Sequence, residues 1–174
     1  MKKNYSLLIV DDDPDVLTSA RLMLKRHYPE VRTSGNPAEL NQLLSKQAVD
    51  LVLLDMNFRK GHNDGKEGIY WLQHILKVSP ETEVILMTAY GEVELAVKAI
   101  KMGAFDFVLK PWTNEKLLST VENALKLAGE KRKVKQLEDT TSNLEEKMGL
   151  KDEDLVTRSP VMKQVMETLR KVAN

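Results

Sequence analysis

Four consecutive large apolar residues, Leu51-Val52-Leu53-Leu54, followed at once by Asp55, constrain this chain more than any other stretch. So short and uniformly apolar a run, set between Val49-Asp50 and a polar, glycine-containing loop, reads as a strand buried on both faces, as parallel sheets require. A carboxylate beside such a strand is costly unless a partner meets it, and in open α/β sheets ligands bind at the carboxyl ends of strands. Asp55 is therefore the first candidate site residue; the plainer alternative is a turn or cap aspartate.

The rest of the chain repeats the pattern. Residues 5–10, Tyr-Ser-Leu-Leu-Ile-Val, form a second buried-strand run, followed by Asp11-Asp12-Asp13. Asp13 before Pro14 reads as an N-cap with proline at the first helical position, which leaves Asp11 and Asp12 unexplained by capping. The helix after it carries Val16, Ala20, Met23, Leu24 and His27 on one face and ends at Tyr28-Pro29. A weak strand over Val31 to Ser34 leads to Asn36-Pro37-Ala38-Glu39, a cap, a proline and a glutamate at the start of a helix whose Leu40, Leu43 and Leu44 face the core. A third helix, from about Glu67 to Val78, buries Ile69, Leu72, Ile75 and Leu76. Glu83 to Met87 is a fourth strand with Thr88 at its carboxyl end. The helix from about Glu92 to Met102 has two apolar stripes, Val93, Ala96, Val97 and Ile100 on one side and Leu95, Ala99 and Met102 on the other; one suits a core, the other ordinary packing or a partner. Gly103 suits its C-terminus. Ala104 to Leu109 is the fifth strand and runs into Lys110-Pro111.

Five strands alternating with helices predict a parallel sheet wound on both sides. Four strand ends then deliver Asp11 and Asp12, Asp55, Thr88 and Lys110 to one edge, a constellation that independent turn requirements seldom produce. Carboxylates in one pocket repel each other, and a hard divalent cation such as Mg²⁺ relieves the repulsion through oxygen ligands. With phosphoryl oxygens held by the metal, a carboxylate oxygen can attack phosphorus and form an aspartyl phosphate, Lys110 supplying a second positive charge and Thr88 a hydroxyl donor. The alternatives at single positions are that Lys110 merely pairs with Asp55 and that Thr88 caps the turn before Gly91.

Composition closes other doors. With 26 basic and 26 acidic residues the net charge is zero, so no global field favours direct nucleic-acid binding or an anionic membrane. The absence of cysteine excludes disulfides, thiolate metal sites and a cysteine nucleophile, and fits a cytoplasmic location. The run Leu7 to Val10 is too short for a signal peptide or membrane span. His27, His62 and His74 have no metal-ligand spacing.

The set Leu8-Ile9-Val10-Asp11-Asp12, Leu53-Leu54-Asp55, Met87-Thr88-Ala89 and Phe107-Val108-Leu109-Lys110-Pro111 resembles the receiver domain of two-component response regulators, over roughly residues 4–128. The resemblance implies a flavodoxin-like α/β fold, a doubly wound five-stranded parallel sheet of order 2-1-3-4-5. It further implies Asp55 as phosphoacceptor for a sensor histidine kinase and Asp12 as direct Mg²⁺ ligand with Asp11 its acidic companion. Asn57 would complete the metal site through its backbone carbonyl, Thr88 and Phe107 would be the switch hydroxyl and aromatic, and Lys110 would pair with the phosphate. One departure is Arg59, where most receivers have proline, in the longer loop Phe58 to Gly65; the kinetics of phosphorylation and metal binding are what it touches.

The division implied is a receiver domain over residues 1–128, a helical coiled-coil linker over 129–154 and, over 155–174, the start of an AAA+ ATPase domain. Leu117, Val121, Ala124 and Ala128 keep a 4-3-4 spacing, and Val134, Leu137, Thr141, Leu144 and Met148 a 3-4-3-4 spacing, with a phase shift near Gly129 to Lys133. This is coiled-coil spacing and predicts a parallel homodimer through the extended last helix and linker. Leu155 to Ala173 resembles the opening of the ATPase domain in NtrC-type, sigma-54-dependent activators, with Thr157 where glycine is usual. No Gly-x-x-x-x-Gly-Lys-[Ser/Thr] loop occurs, so the chain reads as a fragment lacking ATPase chemistry. The expected function is thus a phosphorylation-controlled receiver. Rivals are an aspartate-nucleophile phosphatase, which looks for a second carboxylate where Asn57 stands, and an unphosphorylated dimerisation module.

Overall fold

A computed structural model describes residues 5–58, 65–89 and 93–148, with side chains through residue 141 apart from Val93. The chain divides into two compact units, Met1–Lys131 and Arg132–Asn174. In the first, β1 (Ser6–Val10), α1 (Pro14–Lys25), β2 (Glu30–Ser34), a 3₁₀ turn (Pro37–Glu39), α2 (Leu40–Lys46), β3 (Leu51–Asp55), α3 (Lys66–Val78), β4 (Glu83–Ala89), α4 (Val93–Lys101) and β5 (Asp106–Lys110) precede α5 (Asn114–Met148), which extends into the second. The sheet order is β2-β1-β3-β4-β5 and every pairing is parallel, as expected.

Alternation along the strands builds two cores. Leu7, Ile9, Leu51, Leu53, Ile85, Met87 and Val108 pack with residues of α1 and α5. Leu8, Val10, Val52, Leu54, Val84 and Leu86 pack with residues of α2, α3 and α4. Because strand side chains alternate faces, an uninterrupted apolar strand fills both cores at once. Strands β1, β3 and most of β4 are buried along their length, which places the site carboxylates at the edge of a dry sheet.

Local chemistry sets the element ends. Asp13 Oδ1 accepts the amides of Asp15 and Val16 at 2.8 and 3.4 Å, with Pro14 first in α1. Asn36 Oδ1 accepts the Ala38 amide at 3.0 Å, but the chain makes a 3₁₀ turn before α2. Glu39 does not reach back to the cap amide directly: Ser34 Oγ donates to its Oε2 at 2.6 Å and accepts the Asn36 amide at 3.1 Å, a relay through β2. Beyond α1, Tyr28 rather than His27 is buried; the helix ends at Lys25, so helical phase no longer carries His27 inward. In α4 the core face combines members of both sequence stripes, Ala96 and Ala99 being buried with Leu95 half-buried, while Val97 and Ile100 are exposed.

Helix α5 corrects part of the coiled-coil expectation. Leu117, Val121, Ala124 and Ala128 are all buried, and Leu117, Val121 and Ala124 belong to the core on the α1 side of the sheet. Their 4-3-4 spacing serves docking within the unit. In the second unit Val134 and Leu137 are exposed. Residues 149–174, including the end of the predicted linker and the expected start of an ATPase domain, and residues 59–64, including Arg59, lie outside the described residues.

Gly68 packs α3 tightly against the chain at the end of β3. A Cβ there would stand 2.7 Å from Cα and 2.8 Å from the carbonyl oxygen of Met56, to which the Gly68 amide donates at 3.0 Å. Neither is the end of a flexible side chain, so α3 must move. Gly68→Ala is expected to cost about 2 kcal/mol or more, read as a lower midpoint in urea unfolding.

Candidate functional site

Register brings the strand ends together. Val10 pairs with Leu54, Asp55 with Met87, and Ala89 with Lys110, so the residues just beyond β1 adjoin the ends of β3, β4 and β5. Asp11, Asp12 and Asp55 each offer a carboxylate oxygen, and these lie within 4.8 Å of one another. Asp11 is fully buried, Asp55 is 6% exposed and Asp12 faces solvent.

Lys110 reaches into this group from β5. Its Nζ donates to Asp11 Oδ2 at 2.6 Å and to Asp55 Oδ1 at 2.8 Å. The sequence offers Asp55 as its partner; the fold gives it both buried carboxylates. Asp11 is held further, its Oδ1 accepting the Asp13 amide at 3.0 Å and its own amide donating to the Ser34 carbonyl at 3.2 Å.

Burial dominates the titration of the site. It pushes the Asp55 carboxyl up to about 6 against the pull of Lys110, with the nearby Asp11 charge adding to the rise. Burial likewise raises Asp11 above its ordinary value despite the Lys110 contacts. For Lys110 burial acts downward, but the charges of Asp55 and Asp11 prevail and hold the ammonium above its usual range. Among the described residues three carboxylates face one ammonium, leaving two negative charges unbalanced when all are ionised. An all-oxygen set with that charge deficit fits a hard divalent cation such as Mg²⁺.

Thr88 lies on β4, buried, beside Leu109. Phe107 pairs with Leu86, two residues before Thr88, so Thr88 and Phe107 point to the same side of the sheet, where Phe107 packs half-buried against the core of α2, α3 and α4. Asn57 Oδ1 accepts the Gly65 amide at 3.0 Å, and the Phe58 amide donates to Glu67 Oε2 at 3.2 Å. The Asn57 side chain thus ties the two ends of the loop together, a role the sequence reading missed. Its signal is the pairing of an asparagine with a glycine at φ +62°, a conformation suited to glycine, at the loop's far end.

The sequence profile of the response regulator receiver domain matches residues 7–122, spanning all five strands and the site. The chain belongs to the response regulator receiver family. Among curated relatives, the response regulator protein PilR of Pseudomonas aeruginosa is 38% identical over 120 residues, 69% of this chain and 26% of that protein. The transcriptional regulatory protein GlrR of Escherichia coli is 33% identical over 171 residues, 98% of this chain and 34% of that one. This chain therefore spans about a quarter to a third of the length of these relatives. The N-terminal signal receiver domain of a response regulator from Bacteroides fragilis is 42% identical, with a TM-score of 0.64 over 71% of this chain and 98% of that one. NtrX from Brucella abortus, crystallised with ADP, is 29% identical with a TM-score of 0.68 over 98% of this chain and 34% of its own. Among the described residues no helix of this receiver is long and apolar enough to cross a membrane.

Proposed function

We propose that this receiver is the phosphoacceptor of a two-component system, taking a phosphoryl group on Asp55 from a sensor histidine kinase. The observation that carries the reading is the buried pair Asp11 and Asp55 clamped on Lys110, with Asp12 beside them and, among the described residues, two negative charges left over. Asp11, Asp12, Asp55 and the Asn57 carbonyl are the groups that hold Mg²⁺. When bound, Mg²⁺ offsets the negative charge of the carboxylates and of the incoming phosphoryl oxygens.

Lys110 holds Asp55 Oδ1, so Oδ2 is the oxygen offered to phosphorus. An Oδ2–P bond forms as the bond from phosphorus to the donor's imidazole nitrogen breaks, the electron pair leaving with the imidazole. Asp55 becomes a mixed anhydride, and Lys110 turns from neutralising a carboxylate to meeting phosphoryl oxygens. Thr88 then moves toward the phosphoryl group and Phe107 follows on the same side of the sheet, repacking the α4 surface that exposes Val97 and Ile100. A bias of a few kcal/mol between two pre-existing states suffices.

The domain division proposed is a receiver over 1–128, a linker over 129–154 that dimerises as a parallel coiled coil through Val134 and Leu137, and the start of an AAA+ domain over 155–174. In a longer regulator of the kind its relatives represent, phosphorylation controls ATPase assembly for sigma-54-dependent transcription from a cytoplasmic location.

Labelled acetyl phosphate with Mg²⁺ tests the phosphoacceptor. The expected result is incorporation of up to one phosphoryl group per chain, labile to hydroxylamine as an acyl phosphate is. Sustained turnover of a phosphate ester would replace this reading with a phosphatase, and a chain that takes no label would leave an unphosphorylated dimerisation module.

A further inference from the structure

At the amino-terminal edge of the sheet, opposite the site aspartates, Glu83 is buried, as Asp50 is, and has a cation as its partner. The Glu83 side chain is 5% exposed, and Lys131 Nζ lies 2.6 Å from its Oε1. No donor meets that oxygen in hydrogen-bond geometry among the described residues, so charge attraction is what compensates it. A buried carboxylate stripped of its cation is costly, which holds Lys131 in place although nearly half of that side chain is open to water.

Lys131 matters because of where the sequence puts it. Val134, Leu137, Thr141, Leu144 and Met148 alternate as positions a and d of a heptad, with β-branched residues at the first two a positions and leucine at both d positions, the choice that favours parallel two-stranded coiled coils. Counting back seven residues from Val134 makes Leu127 an a position, and it is 37% exposed although Ala124, Leu125 and Ala128 around it are buried. Leu127 therefore faces water on a different side of α5 from the residues docked on the sheet and takes the first a position of this register, with the exposed, charged Glu130 at the d position that follows. In the same register Lys126 is g and Lys131 is e, the pair that faces across a parallel dimer; one heptad later the pair is Lys133 with Glu138. The second pair attracts and the first repels.

We propose that the Glu83–Lys131 ion pair licenses the first heptad of the homodimer, by withdrawing Lys131 from Lys126 of a second copy. The receiver's own buried carboxylate thus removes a like-charge clash at the start of its dimer seam. The inference rests on the proposed parallel dimer, and the test separates the two.

Sedimentation equilibrium of the full chain at about 50 mM salt, where surface charges are weakly screened, and at about 0.5 M, where they are strongly screened, reads the effect. Glu83→Gln frees Lys131 and is expected to weaken the dimer at least about fivefold at low salt, with recovery at high salt or on adding Lys126→Gln. Lys126→Gln alone, an exposed change remote from the ion pair, is expected to shift dimerisation by less than about twofold, since Lys131 is already engaged; tightening beyond about fivefold shows a free Lys131 and overturns the proposal. Lys131→Gln is expected to dimerise like the unaltered chain, whereas an ion pair that acted only by stabilising the receiver would make it as weak as Glu83→Gln. A Glu83→Gln dimer as tight as the original overturns this inference alone. An unaltered chain that stays monomeric, indifferent to Leu137→Glu, overturns the dimer and this inference with it.

Discussion

Asp55→Asn is expected to reduce phosphoryl incorporation from acetyl phosphate by at least about 100-fold, while Asp12→Asn keeps a folded protein whose incorporation demands far more Mg²⁺. The two substitutions remove the same formal charge from the same site, so charge alone does not separate them. Asp55 is buried on a β3 that pairs in register with β4, and Lys110 fixes one of its oxygens. Among the described residues no other carboxylate shares that placement: Asp11 is fully buried and held by Lys110 and the Asp13 amide, and Asp12 faces solvent. An asparagine at 55 offers an amide, a far weaker nucleophile. Asp12 faces solvent beside the buried pair and serves the cation, so its loss weakens cation binding, and high Mg²⁺ recovers it. Mass spectrometry of intact protein across a Mg²⁺ titration reads both effects. Label persisting in Asp55→Asn would move the acceptor elsewhere.

What could be read from the sequence was what short-range chemistry decides. Asp13, Pro14 and the amides of Asp15 and Val16 lie within four residues of each other, and Thr113 caps α5 by accepting the Lys116 amide at 3.3 Å. The site edge was legible for a related reason, since a strand buried on both faces must present its polar groups at its end. The partners within the edge were not. Whether Lys110 meets Asp55, Asp11 or both depends on β1 lying beside β3 and on the register of the β3–β4 and β4–β5 pairings, none of which a local pattern encodes. Helix α5 shows a different limit. Spacing reports that Leu117, Val121, Ala124 and Ala128 share a face, but the same 3- and 4-residue steps serve a helix on a sheet and a helix on its twin. The fold assigns these four to the receiver core, while Leu127, absent from both spacing series, faces water with Val134 and Leu137.

The same buried charge that makes Asp55 an acceptor destabilises the metal-free receiver, so Asp55→Asn is expected to raise stability where it destroys phosphorylation. The folded carboxyl titrates at about 6 against an ordinary value of 3.8, because burial penalises the ionised form more than Lys110 favours it. Below pH 3.8 the group is protonated in both states and its contribution to stability is fully present. As pH rises through about 6 the folded state must give up a proton the unfolded chain has already lost, and that contribution disappears. A gap of this size corresponds to roughly 3 kcal/mol, an upper bound for a site whose groups titrate together. Asp11 is displaced in the same direction, and Lys110, raised instead of lowered, keeps its proton throughout this window. Without metal at pH 7.5, Asp55→Asn should therefore unfold several degrees above the unaltered protein, a gain of about 1–3 kcal/mol. Mg²⁺ at about a hundred times its dissociation constant adds about 2.7 kcal/mol to the unaltered receiver and much less to the variant, so the order of the two melting temperatures closes or reverses. At pH 4.5, where folded Asp55 carries its proton, the metal-free difference should shrink. Thermal unfolding of both proteins with EDTA and with Mg²⁺ from pH 4.5 to 7.5 measures each part. A variant less stable than the original at pH 7.5 in EDTA would mean that the Lys110 contacts outweigh burial and that the site is neutral enough to need no cation.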